Sequence, residues 1–294
     1  MFNALPMLQN SISATSEAMT LLSTDAQAFQ TDGYKQQQYT FSSIFNSEVN
    51  AIGGRYGRYG GAHNQTMSQG VTLIPMGYDM SQGGIKSAQP LNAAISGKGF
   101  FVVQSENSLQ NLLTRASDFI FAADGTLIDI FGRRVKGYRV NNGVADKTEM
   151  VDIKLDPNSY NLSDVGFEDN GILTTNYQAR QAAIDNGQSG DTLPQGEQTF
   201  QLALASVPNP SQMEMAQGNA FITTLKSGEI NYYGVANEGN LGSVIGASSE
   251  SSNVNPAETT VTGIQLQRGY NATQAALTMT NRFLTQIMEV AGKA

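Results

Sequence analysis

Apolar residues recur at alternating spacings of three and four near both ends of the chain, and the middle of the chain lacks this pattern. The N-terminal stripe comprises Leu5, Leu8, Ile12, Thr15, Met19, Leu22, Ala26 and Phe29. The C-terminal stripe comprises Leu266, Tyr270, Thr273, Leu277, Thr280, Leu284, Ile287 and Ala291. This spacing keeps one narrow stripe on one side of a helix, which is typical of helices that pack lengthwise. We call the Leu, Ile, Met, Phe and Tyr residues of both stripes the assembly seam.

The limits of the two helices follow from local signals. The first helix is predicted from Leu5 to Gln30, with Gly33 as the residue that stops it. The last helix is predicted to begin at Asn255-Pro256-Ala257-Glu258, with Asn255 as the capping residue. Further apolar residues widen both faces, namely Ala14, Ala18, Leu21 and Ala28 in the first helix and Ala275, Ala276, Met279, Phe283 and Val290 in the last. We therefore expect each helix to contact several neighbours, and the alternative is a helix buried on its own domain.

Between the helices, short apolar runs punctuated by Gly and Asp predict antiparallel strands. The clearest signal is Asp124-Gly125, which separates the apolar runs 119–122 and 127–130 as a hairpin turn does. Asp169-Asn170-Gly171 before the run 172–175 is a second such turn. The other predicted strands are 71–76, 91–104 with breaks at Gly97 and Gly99, 199–207, 219–225 and 229–235. This pattern indicates an antiparallel sandwich or irregular barrel, with the polar segment 182–198 as an exposed excursion.

These elements predict an α+β fold in three parts. Residues 1–32 and 256–294 form a helical stalk in which the N- and C-terminal helices pair as a coiled coil. Residues 33–70 and 242–255 form an extended or flexible connector, which includes the Gly- and Tyr-rich run 53–61. Residues 71–241 form the β-rich domain.

Composition narrows the classes of partner. The net charge is −8 and the pI is about 4.7, and the 17 Lys and Arg residues are scattered, which argues against nucleic acid or an anionic membrane as partner. The chain has no Cys and therefore no disulfide framework. The first ten residues lack the features of a cleaved signal peptide, and no run reaches the roughly 20 apolar residues of a membrane span. We expect a protein that is cytoplasmic or exported with its N-terminus intact.

No motif in the sequence predicts catalysis, a cofactor or a metal. The single histidine, His63, lies in the connector, where the rigid geometry of a Ser–His–Asp triad is not expected. Asp156-Pro157-Asn158 is predicted to be a turn, because it lacks the acidic twelfth ligand of a calcium loop. Gly97-Lys98-Gly99 lacks the Ser or Thr of a phosphate loop and is predicted to allow close strand packing. We therefore expect a protein that is not an enzyme.

Several short segments, in a fixed order along nearly the whole chain, carry a family resemblance. They are Thr31, Gly33, Tyr34 and Lys35; Gln82-Gly83-Gly84; the run from Pro90 to Val103; Thr114-Arg115-Ala116 with Phe119 and Asp124-Gly125; the run from Gly132 to Gly137; Ser252-Asn253-Val254; and Gln267 to Ala272. Together they resemble the bacterial flagellar axial proteins of the rod and hook family. The chain departs from the family pattern at Asp25, Gln27, Ala28, Gln30 and Asn255.

The resemblance implies a structural subunit whose paired terminal helices line a tube that transmits torque, with the β-domain outside. Its partners would be copies of itself, other axial proteins and the flagellar export apparatus, with no nucleic acid, small-molecule substrate or membrane insertion. Its location would be the flagellar basal body or hook, without cleavage of a signal peptide. Phe41 and Phe45 match the family's export pattern of an aromatic residue followed four positions later by a hydrophobic one. The alternative for this pair is ordinary packing of the connector.

Within the family, rod proteins carry one β-domain and hook proteins generally add another. The span 71–241 favours a rod subunit, and a short hook protein is the alternative. Outside the family, a β-rich adhesin with coiled-coil ends is the second hypothesis and an extracellular hydrolase the third.

Overall fold

The computed structural model describes residues 4–49, 65–105, 110–141, 143–188 and 197–291, without the side chains of Ala4, 44–49, 65–69 and Ala291. The described chain divides into two compact units. The helical unit comprises Met1–Gln27, Gln37–Met76 and Asn255–Ala294, and the body comprises Ala28–Gln36 and Gly77–Val254. The three-part division at residues 32, 70, 241 and 255 stays a prediction.

Three α-helices lie in the described ranges: α1 (Ala4–Ala28), α2 (Tyr177–Asp185) and α3 (Pro256–Ala291). Helices at both ends of the chain are thus confirmed. The predicted start of α3 is also confirmed, because Asn255 Oδ1 accepts a hydrogen bond from the Ala257 amide at 3.1 Å. The predicted end of α1 is wrong by two residues, and Gly33 closes no helix. Helix α2 was missed, because the predicted excursion 182–198 overlaps its second half.

The rest of the described structure is β-strand, turn, loop and three short 3₁₀ segments, Leu162–Asp164, Asp169–Gly171 and Pro210–Gln212. The strands are β1 (Gln37–Val49), β2 (Gln65–Tyr78), β3 (Ile85–Ser87), β4 (Ala93–Ser96), β5 (Phe100–Gln104), β6 (Asn111–Thr114), β7 (Phe119–Phe121), β8 (Leu127–Asp129), β9 (Arg134–Asn141), β10 (Val144–Asp152), β11 (Val165–Phe167), β12 (Ile172–Thr175), β13 (Gln198–Leu202), β14 (Leu204–Ser206), β15 (Glu214–Ala216), β16 (Ala220–Ile222), β17 (Tyr232–Gly234), β18 (Ser243–Gly246) and β19 (Ser248–Glu250).

The helical unit is organised around α1. Strands β1 and β2 form a two-stranded sheet, a pairing that the connector prediction did not contain. Gly70 of β2 approaches α1 so closely that a Cβ at this position would lie 2.8 Å from the Met7 carbonyl oxygen. Leu22 Cδ2 of α1 would lie 3.3 Å from a Cβ at Gly263 of α3. The fully buried Asp25 accepts a hydrogen bond from the Gln37 amide at 3.4 Å, which ties the end of α1 to β1. Helix α1 is therefore covered on several sides.

The body is built on a 13-stranded antiparallel sheet, counted over the described ranges. Its main path runs β11-β12-β13-β9-β5-β6-β16-β15, and the small sheets β18–β4 and β19–β3 accompany it. The predicted single strand 199–207 is wrong in one respect: β13 pairs with β9, whereas β14 pairs with β5 and β17. The sheet changes partners at Ala203, whose amide donates to the Lys136 carbonyl.

Apolar clusters lie on both faces of this sheet. Successive side chains of a strand point to opposite faces, so the run of β5 divides between them. Phe101 and Val103 belong to one buried cluster, together with Phe119, and Phe100 and Val102 belong to the other. Because both faces are covered, β5 carries a continuous apolar run instead of an alternating pattern.

The predicted turns position the strands as expected. Phe119 pairs with Asp129 and Phe121 with Leu127, so the hairpin of β7 and β8 is confirmed. Asp124 accepts hydrogen bonds from the amide and hydroxyl of Thr126, and these bonds lower the pKa of Asp124 to about 2. The second predicted turn is confirmed as a short 3₁₀ segment at Asp169–Gly171, which leads into β12.

The glycines around Lys98 allow close packing, as predicted. Gly97 and Gly99 have φ of +110° and +124°, a region that favours glycine. The Gly242 amide donates to the Lys98 carbonyl at 2.6 Å, and a Cβ at Gly97 would lie 3.1 Å from the Gly242 Cα. Gly97 and Gly242 thus let two backbone segments of the body meet.

Candidate functional site

The seam residues of α1 lie mostly at half-buried positions of the helical unit. Leu22 is buried, and four others, Leu5, Leu8, Ile12 and Met19, are half-buried. Phe29 lies beyond the end of α1, in the body, and is exposed. The most buried positions of α1 are Ala14, Ala18 and Asp25, so the second apolar stripe is covered more fully than the seam.

The seam residues of α3 lie on the better covered side of that helix. Leu266, Tyr270, Leu277 and Leu284 are half-buried, and Ile287 is exposed. Around them almost all of α3 faces solvent, and Thr259 in its first turn is the one buried residue among its described positions.

A second apolar face of α3 is open to solvent, and we call it the outer face: Ala276, Met279, Phe283 and Val290. Met279 is 73% exposed, Phe283 51% and Val290 72%. At about 100° per residue the outer face lies roughly a third of a turn away from the seam. Large apolar side chains on an uncovered helical face mark an interaction surface.

The two residues of the export pattern lie on β1. Phe41 is 42% exposed, and its ring meets Tyr39 edge-on with centroids 6.1 Å apart. The side chain of Phe45 lies outside the described residues. His63 and the run 53–61 also lie outside them.

The body contains a buried cluster of three charged side chains: Lys35, Arg115 and Glu250. Lys35 Nζ lies 2.6 Å from Glu250 Oε1, and Arg115 Nη1 lies 2.9 Å from Glu250 Oε2. The three residues are 1%, 5% and 0% exposed, respectively. One carboxylate thus bridges two cations that enter from different segments of the body.

Backbone groups make further hydrogen bonds to this ion cluster. Lys35 Nζ donates to the Ser81 carbonyl at 2.7 Å, and the Gly83 amide donates to Glu250 Oε1 at 2.9 Å. Arg115 Nη2 donates to the Gly97 carbonyl at 2.6 Å. The cluster therefore joins five separate stretches of chain through strong, charge-assisted contacts.

The same stretches are held by contacts around the cluster. The Gly33 amide donates to the Glu250 carbonyl at 2.7 Å. Gly33 has φ of +69°, and a Cβ there would clash with the backbone of Arg115 and Ala116. Asn253 accepts from the Gln36 amide at 2.8 Å and donates to the Asp79 carbonyl at 2.8 Å. Glycine and asparagine are thus required here by space and by hydrogen bonding.

The electrostatics of the cluster are unbalanced, with two positive charges and one negative charge. Burial lowers the pKa of Lys35, and the Arg115 charge adds to this effect, whereas the charge of Glu250 and its hydrogen bond oppose it. The Arg115 guanidinium lies 5.2 Å from the centre of the Phe100 ring, which gives it a further favourable contact. Glu250 is the anion that pairs directly with both cations, and the charge of Asp79 also acts to raise the pKa of Lys35.

The cluster brings together the segments that carry the family resemblance. Lys35, Gly83, Gly97 and Arg115 come from the motif segments, and Glu250 precedes Ser252-Asn253-Val254. Sequence reasoning named those segments but missed Glu250 and the ion cluster. A usable signal was the scarcity of charge, since only 14% of residues are charged and two of the three cluster residues, Lys35 and Arg115, fall inside motif segments.

The described ranges contain no group of three or more His, Cys, Asp or Glu side chains that could hold a metal ion. Among the described helices, none has both the length and the apolar character that a membrane crossing requires.

Two family models match the chain. One is described as the flagellar hook protein FlgE/F/G D1 domain and matches residues 94–175. The other is described as the flagellar basal body rod FlgEFG protein C-terminal region and matches residues 246–289. The first covers strands β5 to β12 of the body, and the second covers most of α3 with β19.

Curated relatives agree with these matches. The flagellar hook protein FlgE of Helicobacter pylori strain 26695 is 32% identical over 139 residues, which are 46% of this chain and 17% of the relative. The flagellar hook protein FlgE of Rhizobium meliloti strain 1021 is 29% identical over 169 residues, which are 56% of this chain and 34% of the relative. The matched part thus spans between about a sixth and a third of these relatives. Residues 94–175 and 246–289 thus match the rod and hook family of flagellar axial proteins, and the motif segments that meet at the ion cluster support the same family.

Proposed function

We propose that the chain is a structural subunit of the flagellar axis that assembles with its own copies and with other axial proteins into a helical tube. In this proposal α1 and α3 pair lengthwise, and the assembly seam and the outer face of α3 together form the contacts within and between subunits. The role is mechanical: the tube transmits torque and carries no catalytic centre or cofactor. Its location is the flagellar basal body or hook.

The observation that carries this proposal is the outer face of α3. Met279, Phe283 and Val290 are mostly exposed although each is large and apolar. Burying each such side chain would stabilise an assembly by about 1.5–3 kcal/mol. Helix α3 has 36 residues, which at ~1.5 Å per residue gives a contact surface of roughly 54 Å. A helix of this length is suited to lengthwise packing against several neighbours.

The first test is electron microscopy of the concentrated chain. We expect helical filaments or stacked rings whose amount rises with protein concentration, because each added subunit buries the outer faces of its neighbours. A closed small oligomer at every concentration would contradict the proposal and would favour the adhesin with coiled-coil ends.

We propose a rod subunit within this family, since a single β-rich body separates the terminal helices in sequence. A hook subunit is the second candidate, and it is favoured by relatives that are named hook proteins. Basal bodies isolated from a strain that lacks the gene distinguish them. An axis truncated inside the cell envelope supports the rod, and a complete rod without a hook supports the hook.

We also propose that Phe41 and Phe45 dock the unassembled subunit at the export apparatus. Replacing both by Ala is expected to lower the secreted amount at least about tenfold, since two apolar side chains would lose their contacts with the export machinery. The measurement compares secreted and cellular protein in a flagellated strain.

The matched control for export is Phe131→Ala, which removes a similarly exposed phenylalanine from the body. This variant should be secreted normally. Undiminished secretion of the Phe41/Phe45 variant would refute the export role and leave packing within the helical unit as the function of both residues.

A further inference from the structure

Leu225 stands out on the surface of the body. It is 104% exposed, the highest value among the large apolar residues of the described ranges. The neighbouring Lys226 is also exposed. Covering such an exposed apolar side chain with another surface is favourable, because it removes apolar area from water.

The turn that presents Leu225 is held in one conformation. The Thr224 hydroxyl oxygen accepts from the amides of Lys226 and Ser227 at 3.2 and 3.1 Å, and it donates to the Gln212 carbonyl at 2.8 Å. The buried Ser227 accepts from the Thr224 amide at 2.7 Å. Because the turn is already ordered, seating Leu225 in a partner would cost little conformational entropy. We call Leu225 and Lys226 the knob.

A pocket of about 420 Å³ opens elsewhere on the body. Its apolar lining comes from Leu91, Phe119, Ile120, Leu162 and Val165. Ile120 is half exposed at the mouth, and Ser163 forms part of the rim. The volume is ample for a leucine side chain, and the lining offers it apolar contacts.

The pocket also offers a carboxylate, that of Asp118. Asp118 Oδ1 accepts a hydrogen bond from Asn92 Nδ2 at 3.0 Å. Partial burial raises the pKa of Asp118 and the nearby charge of Asp32 adds to this, whereas the Asn92 hydrogen bond and Lys86 oppose it. Lys86 is itself engaged with Asp32 at 2.7 Å. An incoming ammonium group would therefore stabilise the ionised form of Asp118.

We propose that the pocket receives the knob of a second copy of this chain, with Leu225 among the apolar side chains and Lys226 beside Asp118. Both apolar and charge complementarity assign the occupant. The exposed Leu225 fits the apolar pocket, and the adjacent Lys226 fits the carboxylate of Asp118. This contact rests on the proposed function, because it adds a contact between bodies to the helical contacts of the same assembly. Knob and pocket are different surfaces, so the contact is head-to-tail and can repeat without closing.

The absence of Cys from the chain makes a crosslinking test specific. The full-length double variant Lys226→Cys with Ser163→Cys keeps Leu225 and places one thiol beside the knob and one on the pocket rim. A short bismaleimide added to the concentrated protein is expected to give a ladder of covalent multimers. A mixture of the two single variants is expected to stop at the dimer, since each copy then carries one reactive thiol.

Two variants in the double-cysteine background control for the contact. Leu225→Asp is expected to lower the ladder at least tenfold, because it places a carboxylate in the apolar pocket beside Asp118. Val144→Asp charges a different exposed apolar residue and should leave the ladder unchanged. Absence of the ladder, or a ladder that survives Leu225→Asp, overturns the contact whether or not filaments form. Absence of filaments by itself contradicts only the proposed function.

The ion pair is tested in the chain without added cysteines. Lys226→Glu is expected to raise the critical concentration for assembly about two- to fivefold, in the range of an exposed ion pair. Adding Asp118→Lys to that variant should bring the value back towards that of the unchanged chain. Failure of this restoration would contradict the pairing of Lys226 with Asp118.

Discussion

Replacing Glu250 with Gln is expected to destabilise the body by about 3–5 kcal/mol, the usual cost of breaking a buried ion pair by removing one partner. The substitution keeps the shape of the side chain and removes its charge. Lys35 and Arg115 then remain as two buried cations without an anion. For a unit of this size the loss corresponds to a fall in Tm of roughly 10 °C or more. Calorimetry, or urea unfolding followed by circular dichroism, measures it.

Two variants show whether the charge balance causes this effect. Lys35→Met leaves Arg115 paired with Glu250 and is expected to cost less, about 1–3 kcal/mol for lost hydrogen bonds. Glu238→Gln breaks the exposed pair with Lys147 and is expected to cost at most about 1 kcal/mol. If Glu250→Gln were no more damaging than Glu238→Gln, the ion cluster would not be a main support of the body.

Replacing Met279 with Glu is expected to abolish assembly while the subunit itself stays folded. Met279 is 73% exposed, so a carboxylate at this position is solvated in the free subunit. In an assembly that covers the outer face, the same carboxylate would be buried without a partner, at a cost of several kcal/mol. A cost of ~3 kcal/mol raises the critical concentration about a hundredfold. Sedimentation and electron microscopy measure assembly, and circular dichroism measures the fold.

The control for this substitution is Thr278→Glu, at the adjacent position of α3. It adds the same charge to the same turn, but Thr278 is exposed and lies outside both the seam and the outer face. Filaments are expected to form with this variant at nearly the normal concentration. Normal assembly of Met279→Glu would mean that the outer face is not a subunit contact.

The sequence predicts those parts of the fold whose causes are local. The three-four spacing is sufficient to predict α1 and α3, and the sequence also identifies Asn255 as the capping residue of α3. The turn at Asp124-Gly125 is likewise sufficient for the hairpin of β7 and β8. In each case the residues that determine the element lie within one short stretch of the chain.

The elements that were missed depend on distant residues. Only Ala183 of α2 is buried, so the helix has no apolar stripe for a pattern to detect. The Tyr177 ring instead packs where a Cβ at Gly166 would be, and Arg180 pairs with Glu168 at 2.8 Å. The strand 71–76 was predicted and lies within β2, but its pairing with β1 was missed, because residues 50–64 separate the two strands and nothing local to β2 indicates its partner.

The ion cluster could not be predicted from the sequence either, because its residues are distant from one another along the chain. Glu250 is 135 residues from Arg115 and 215 residues from Lys35. A lone Lys, Arg or Glu on a short strand or turn normally indicates a solvated position. Nothing local distinguishes these three from exposed charges, and only the folded arrangement brings them together.

The position of Glu250 near the end of the body also governs the order in which the chain can acquire structure. Both cations of the cluster are synthesised long before their anion is available. With 215 residues between Lys35 and Glu250, closing this contact carries a large loop entropy and belongs to a slow, late event. A nascent chain that ends before residue 250 therefore lacks the ion cluster of its own body. Synthesis from the N-terminus leaves the body without this support until about the last sixth of the chain is made.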